Sequence, residues 1–207
     1  MLQLAVLGSG RGSNFQAILS AIQRGELTGV SVKLVISNNS AAGILEIART
    51  QGIPSLHISQ KQFATEGAFV DAMLDVLRAH SVNFIVLAGY MKRLHPRLVA
   101  SYKNRVINIH PALLPEFGGE GMYGIHVHRA VLAAGRPVSG ATVHIVDEEY
   151  DRGPIVLQRR VTVAPDETPE SLAAKVLAVE HGLYPEAIRL FAEGRVTVTE
   201  RSIAVHT

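Results

Sequence analysis

Phe84-Ile85-Val86-Leu87-Ala88-Gly89 is an unbroken apolar run rich in β-branched and aromatic side chains. Such a run reads as a strand covered on both faces, the pattern of a central strand in a parallel sheet. A second run, Val106-Ile107-Asn108-Ile109, follows about one short helix later. Strand signals alternate with helical periodicity along most of the chain, and the alternation predicts a doubly wound α/β sheet with right-handed crossovers.

Taken in order, residues 2–7 form a first strand. Gly8-Ser9-Gly10-Arg11-Gly12-Ser13-Asn14 follows at once and opens a helix from Phe15 to about Gln23. A glycine-rich turn feeding a helix start offers backbone N–H groups and the positive end of the helix dipole to an anion. Ser13 and Asn14 can cap that helix or donate to a phosphate, and Ser9 reads the same way. The spacing is neither G-x-G-x-x-G nor a Walker A loop, which favours a single phosphate over a dinucleotide or ATP. Val30–Ser37 reads as the second strand and 41–50 as a helix closed by Gly52. A short third strand over 53–58 contains Pro54 and is expected at a sheet edge. Helical periodicity covers 63–80, and a short helix is expected over 95–102.

Beyond Pro115 lies a loop over 116–124 with four glycines, expected to lie over a site. A helix is expected over 126–134. Strands over 138–146 and 155–163 are joined by the acidic turn Asp147-Glu148-Glu149-Tyr150-Asp151-Arg152-Gly153-Pro154, with no helix between them. They are therefore expected to pair antiparallel. A long helix over 171–192 contains Pro185, expected to kink it, and short strands are expected within 195–205.

Candidate chemistry gathers at the end of the 106–109 run. Asn108 and His110 stand at i and i+2 on a strand, so they point to one side. In an open α/β sheet the C-terminal strand ends are where ligands bind. An amide beside a protonatable imidazole can stabilise a developing oxyanion. Asp147, Glu148, Glu149 and Asp151 are candidates for a carboxylate that would favour imidazolium and raise the His110 pKa. His144, between Val143 and Ile145, reads in isolation as a satisfied core histidine. With no G-x-S-x-G elbow the chain offers no nucleophile of its own, which suits direct transfer between two bound substrates.

Composition removes several classes. The chain has no cysteine, hence no disulfide, thiolate metal site or Cys nucleophile. No histidine lies in a His-Glu-x-x-His context, so no metal is expected. A net charge of +2 with scattered basic residues leaves no nucleic-acid footprint. No apolar run is long enough to span a bilayer. The N-terminus reads as a strand rather than a signal peptide, giving a cytoplasmic expectation.

Four segments in this order, Gly8 through Ala17, Leu87-Ala88-Gly89-Tyr90-Met91, Asn108 through Pro115, and His144 through Ile155, closely resemble the phosphoribosylglycinamide formyltransferase family of folate-dependent enzymes. The resemblance covers essentially the whole chain. It implies the formyltransferase fold: one domain over 1–207, with a Rossmann-like phosphate-binding half over 1–103 and a folate-binding, catalytic half over 104–207. The sheet would be mostly parallel with an antiparallel strand in the second half. It implies Asn108, His110 and Asp151 as catalytic residues and His144 as their support. Gly12, Ser13, Asn14 and Glu180 would bind the ribonucleotide. Met91, Lys92, Arg93, Leu94, Val146, Asp147 and Asp151 would bind the folate. The co-substrate implied is 10-formyltetrahydrofolate, without a metal. Partners would be small molecules only, with no nucleic acid or membrane, in a monomer or homodimer.

Two departures stand out. The stretch Gln62-Phe63-Ala64-Thr65-Glu66-Gly67 has no Arg where the family often carries one, and the glycine-rich loop 118–124 is long. Related methionyl-tRNA formyltransferases and formyltetrahydrofolate hydrolases carry further domains, which this sequence is expected to lack. Transfer to another amine, such as an amino-sugar nucleotide, is the alternative within the superfamily. A nucleotide-binding module without chemistry is the alternative outside it, and it requires no convergence of Asn108, His110 and Asp151.

Overall fold

The computed structural model describes residues 1–199 and 203–206. The chain divides into two compact units, Met1–Ile107 and Asn108–Thr207. Strand β5 (Val106–His110) is shared, its first two residues closing one unit and its last three opening the next.

The first unit contains β1 (Leu2–Leu7), α1 (Ser13–Gln23), β2 (Val30–Ser37), α2 (Gly43–Thr50), β3 (Ser55–His57), a 3-10 turn at Gln60–Gln62, α3 (Glu66–Ala79), β4 (Phe84–Leu87) and α4 (Pro96–Ser101). The second continues with α5 (Ile125–Ala133), β6 (Val138–Ile145), β7 (Ile155–Thr162), α6 (Pro169–Ala192), β8 (Val196–Val198) and β9 (Ile203–Val205). The main sheet runs β3-β2-β1-β4-β5-β6-β7, and β8 pairs with β9 in a separate two-stranded sheet. Pairings β1–β2, β1–β4 and β2–β3 are parallel, whereas β6–β7 is antiparallel. The mostly parallel α/β sheet with one antiparallel pair is the expected fold class.

The elements follow from local chemistry. Leu4 through Leu7 and Phe84 through Leu87 are all buried, as two-sided strands require. Strand β3 sits at the sheet edge. It starts after Pro54, whose carbonyl accepts from Val35 N–H; proline can accept but cannot donate to a ladder. Thr65 Oγ1 caps α3 by accepting from Ala68 N–H at 3.1 Å. Thr168 caps α6 in the same way, with Pro169 in the first turn, where a missing N–H costs nothing. Pro185 lies inside α6, fully packed, and the helix continues past it to Ala192. Helix α1 begins two residues earlier than its apolar pattern suggests. Its cap is Gly12, in the left-handed region at φ 86°, with no side-chain cap. Ser13 and Asn14 therefore occupy the first turn and are not the cap. The tail strands expected within 195–205 are found as β8 and β9, while residues 200–202 lie outside the described residues. No helix among the described residues is long and apolar enough to cross a membrane.

Within the second unit β6 and β7 approach unusually closely at Gly140. A Cβ there would lie 2.1 Å from the Arg159 carbonyl oxygen and 2.7 Å from Leu113 Cδ2. The pair is also irregular between Val143 and His144, where the register shifts. Val143 pairs with Leu157 and His144 with Ile155, so the extra residue, Val156, lies on β7, while β6 keeps its alternation and His144 shares the face of Thr142. We expect Gly140→Ala to lose about 1–3 kcal/mol of stability by overpacking. Urea unfolding checks this: the midpoint should fall with the slope unchanged.

Candidate active site

The end of β5 delivers Asn108 and His110 to one side of the second unit, as their i, i+2 spacing requires. His144 of β6 and the turn residue Asp151 meet them. Asn108 Nδ2 lies 3.1 Å from His144 Nε2, which in turn lies 3.4 Å from Asp151 Oδ1. Asp151 Oδ2 lies 3.5 Å from His110 Nδ1. The four side chains thus form a continuous chain of polar contacts. Of the four acids in the 147–151 turn, only Asp151 enters it. Asp147, Glu148 and Glu149 are exposed, and the Asp147 carboxylate accepts from Glu149 N–H within the turn.

Asp151 is held in place by backbone. Its φ is 54°, a left-handed conformation that side-chain-bearing residues seldom adopt. The following turn closes because Gly153 has no side chain: a Cβ would sit 1.8 Å from the Ile145 carbonyl oxygen. Ile145 N–H donates to the Pro154 carbonyl across the same turn. Oδ2 accepts from Gly119 N–H at 2.9 Å. Gly118 also has no room for a side chain, with a Cβ position 2.5 Å from Leu114 Cδ2 and 3.0 Å from Asp151 Cβ. The long glycine-rich loop, at its 117–119 end, is therefore part of the site.

The two imidazoles are almost wholly buried, His110 at 3% and His144 at 2% exposure. His144 Nδ1 donates to the Ile145 carbonyl at 2.9 Å. With that proton placed, the neutral ring accepts at Nε2 from the Asn108 amide; a further proton on Nε2 goes to Asp151. His110 Nε2 donates to the Phe117 carbonyl at 2.8 Å, so both its nitrogens face acceptors. Burial pushes the His110 pKa below its ordinary value, and Asp151 and the Phe117 carbonyl pull it back only in part, while His144 lowers it further. The expectation that a nearby carboxylate raises this pKa is corrected: desolvation of a buried ring outweighs one carboxylate at 3.5 Å. For Asp151 burial alone would raise the pKa. The His144 hydrogen bond, the neighbouring His110, the Gly119 amide and the His144 charge together outweigh it, and the net shift is downward. At neutral pH the site therefore holds a carboxylate beside a largely neutral His110.

A polar network behind the site went unread in the sequence. Thr142 Oγ1 donates to the Ala112 carbonyl at 2.6 Å and accepts from Leu114 N–H at 3.0 Å. Gln158 Nε2 donates to the Leu114 carbonyl at 2.8 Å and to Thr142 Oγ1. This pins the loop 111–115, including a cis peptide at Leu114–Pro115. Thr142 stands two residues before His144 on β6, and that spacing was the available signal. His128 on α5 is also buried, and its Nδ1 has no hydrogen-bond partner.

The remaining expected residues are placed as follows. In the first unit, Gly12 packs against α2, where a Cβ would lie 2.9 Å from Ile44 Cα, and Ser13 and Asn14 open α1. The first amides of an α-helix have no acceptor within it. Met91, Lys92 and Arg93 are exposed after β4, with Met91 at 51%, while Leu94 is buried. In the second unit, Val146 is half-buried ahead of the acidic turn, and Glu180 is buried on α6. Among the described residues no cluster of three or more His, Asp or Glu side chains is arranged to hold a metal ion.

Known proteins resemble this chain along nearly its whole length. Residues 2–188 match the family model described as formyl transferase. Phosphoribosylglycinamide formyltransferase of Arabidopsis thaliana, a chloroplastic protein, is 44% identical over 202 residues, covering 97% of this chain and 69% of the relative. The Escherichia coli protein of the same name is 36% identical over 201 residues, covering 97% of this chain and 92% of the relative. The crystal structure of glycinamide ribonucleotide transformylase 1 from Symbiobacterium toebii superposes with a TM-score of 0.93 at 40% identity, covering 100% of this chain and 95% of that one.

The electrostatics make a direct prediction. His110 should titrate below the ordinary histidine midpoint of about 6.5. Because its folded pKa is depressed, the stability it contributes is present above about pH 6.5 and lost as pH falls through the folded pKa. In Asp151→Asn the raising influence is gone, so the His110 midpoint should move lower still. Side-chain NMR titration of both proteins checks this, and an unmoved midpoint would break the pairing.

Proposed function

The chain belongs to the formyl transferase family, and on that footing we propose how its residues divide the work. Its activity is formyl transfer to phosphoribosylglycinamide in purine biosynthesis, from a folate-type donor. In our reading the donor is 10-formyltetrahydrofolate and the acceptor is the glycine amine of the ribonucleotide. We place the reaction in the cytoplasm, carried out by a monomer or homodimer on these two small molecules. The observation that carries the catalytic assignment is the unbroken contact chain Asn108–His144–Asp151–His110.

The amine attacks the formyl carbon directly, forming a C–N bond and turning the carbonyl oxygen into an oxyanion. Asn108 Nδ2–H and His110 Nε2–H are the donors for that oxygen. At rest His110 Nε2 donates to the Phe117 carbonyl. An oxyanion is a stronger acceptor and takes the bond over as charge develops. The attacking nitrogen becomes acidic as its bond forms. Asp151, ionised beforehand, accepts its proton through water and passes it to the folate nitrogen. The bond from that nitrogen to the formyl carbon then breaks, the oxyanion collapses to a formamide, and tetrahydrofolate leaves neutral. His144 holds Asn108 and Asp151 in register. Gly12, Ser13 and Asn14 receive the phosphate on their amides, and Glu180 contacts the ribonucleotide. Met91 through Leu94, together with Val146, Asp147 and Asp151, receive the folate.

The assay mixes protein, ribonucleotide and 10-formyl folate, omitting each substrate in turn. Turnover should require both. Folate consumed without the ribonucleotide would replace transfer with hydrolysis. Asn108→Ala should lower turnover roughly 10²–10³-fold, the scale of one oxyanion donor, with ribonucleotide affinity little changed. Unaltered turnover would remove Asn108 from the role.

A further inference from the structure

Ser9 sits in the glycine-rich turn, where the sequence suggests an anion-holding hydroxyl, but its bonds run elsewhere. Its Oγ donates to Asn38 Oδ1 and accepts from Met91 N–H at 2.8 Å. Its backbone N–H donates to the Gly89 carbonyl at 2.9 Å. Its own carbonyl accepts from Asn39 Nδ2. A hydroxyl has one proton to give, and here Asn38 takes it, so none is left for a phosphate oxygen. One residue thus ties together the chain leaving β1, the chain leaving β2 and the chain leaving β4.

The approach is tight. A Cβ on Gly8 would lie 2.8 Å from the Ala88 carbonyl oxygen and 2.7 Å from Ile44 Cδ1. Gly8 N–H donates to Ile36 and Ala88 N–H donates to Leu7. Beyond this knot the β4 exit leaves the sheet through Gly89, at φ 74°, into Tyr90 through Leu94. That segment has no regular secondary structure and exposes Met91, Lys92 and Arg93. The Met91 amide attaches it to the turn.

We infer that Ser9 is a positioning residue for the formyl donor: its hydroxyl fixes the Met91 amide, and so sets the 90–94 segment, instead of binding the ribonucleotide phosphate. The inference rests on the functional reading above only for the identity of the two ligands. It predicts a split between substrates. In Ser9→Ala the KM for the 10-formyl folate should rise about three- to tenfold, the equivalent of one ordinary hydrogen bond. The KM for the ribonucleotide should stay within twofold of wild type. Ser9→Thr keeps the hydroxyl and should restore the folate KM.

A second measurement needs no turnover. Amide hydrogen exchange at Met91 in the free protein should be faster in Ser9→Ala than in wild type and restored in Ser9→Thr. A rise confined to the ribonucleotide KM would overturn the inference, because it would make Ser9 a phosphate ligand. Equal rises in both KM values with a matching fall in kcat would also overturn it, as general disruption of the turn. So would a Met91 amide that exchanges at the wild-type rate. Were wild-type protein to show no turnover at all, the functional reading would fail, and Met91 exchange would still decide the role of Ser9.

Discussion

One carboxylate in a left-handed turn holds the site together. Asp151 adopts φ 54°, a conformation that costs a residue with a side chain about 1–2 kcal/mol. In return its oxygens face the Gly119 amide and two buried imidazoles. A charge-assisted hydrogen bond from a backbone amide recovers an amount of the same order. The turn can close only because Gly153 lies against the Ile145 carbonyl with no room for a methyl group. The hairpin supplies both partners: β6 presents His144 by ordinary strand alternation, and the turn that follows presents the carboxylate. Backbone strain of this kind is common where a reactive group must be aimed.

Burial sets the charge state of that construction. The His110 ring, at 3% exposure, is a poor host for positive charge, and a single anion does not fully compensate. The site therefore rests with its negative charge in place and its His110 proton count low. In the proposed reaction the oxyanion would form next to donors already held by the protein, so little solvent would reorganise at that moment.

Much of this was legible in the sequence, for identifiable reasons. Two-sided strands such as Phe84–Leu87 announce themselves by unbroken apolar runs, and the absence of a helix between residues 147 and 154 fixed β6–β7 as antiparallel. The pairing of Asn108 with His110 followed from strand periodicity. What escaped reading depends on contacts far apart in the chain. Which of four neighbouring acids turns inward is decided by the Gly118 and Gly153 close approaches. The His110 pKa direction is decided by burial, which residue identity alone does not reveal. Ser9 looks like its neighbour Ser13 because both are hydroxyls in one turn; the positions of Asn38 and Met91 give Ser9 its different bonds.

The shared strand β5 also determines where this chain can change length. Side chains alternate along a strand, so inserting or deleting one residue of β5 ahead of Asn108 would turn Asn108 and His110 to the opposite face together, and a change at Ile109 would send them to different faces. No single substitution could then restore either. Just downstream, residues 120, 121, 123 and 124 are exposed, and the contacts that matter end at Gly119. Met122 N–H returns to the Gly119 carbonyl, so a change of length beyond that turn leaves the Gly119 amide on Asp151. A loop open to solvent is thus set ten residues from a strand that tolerates no change of length.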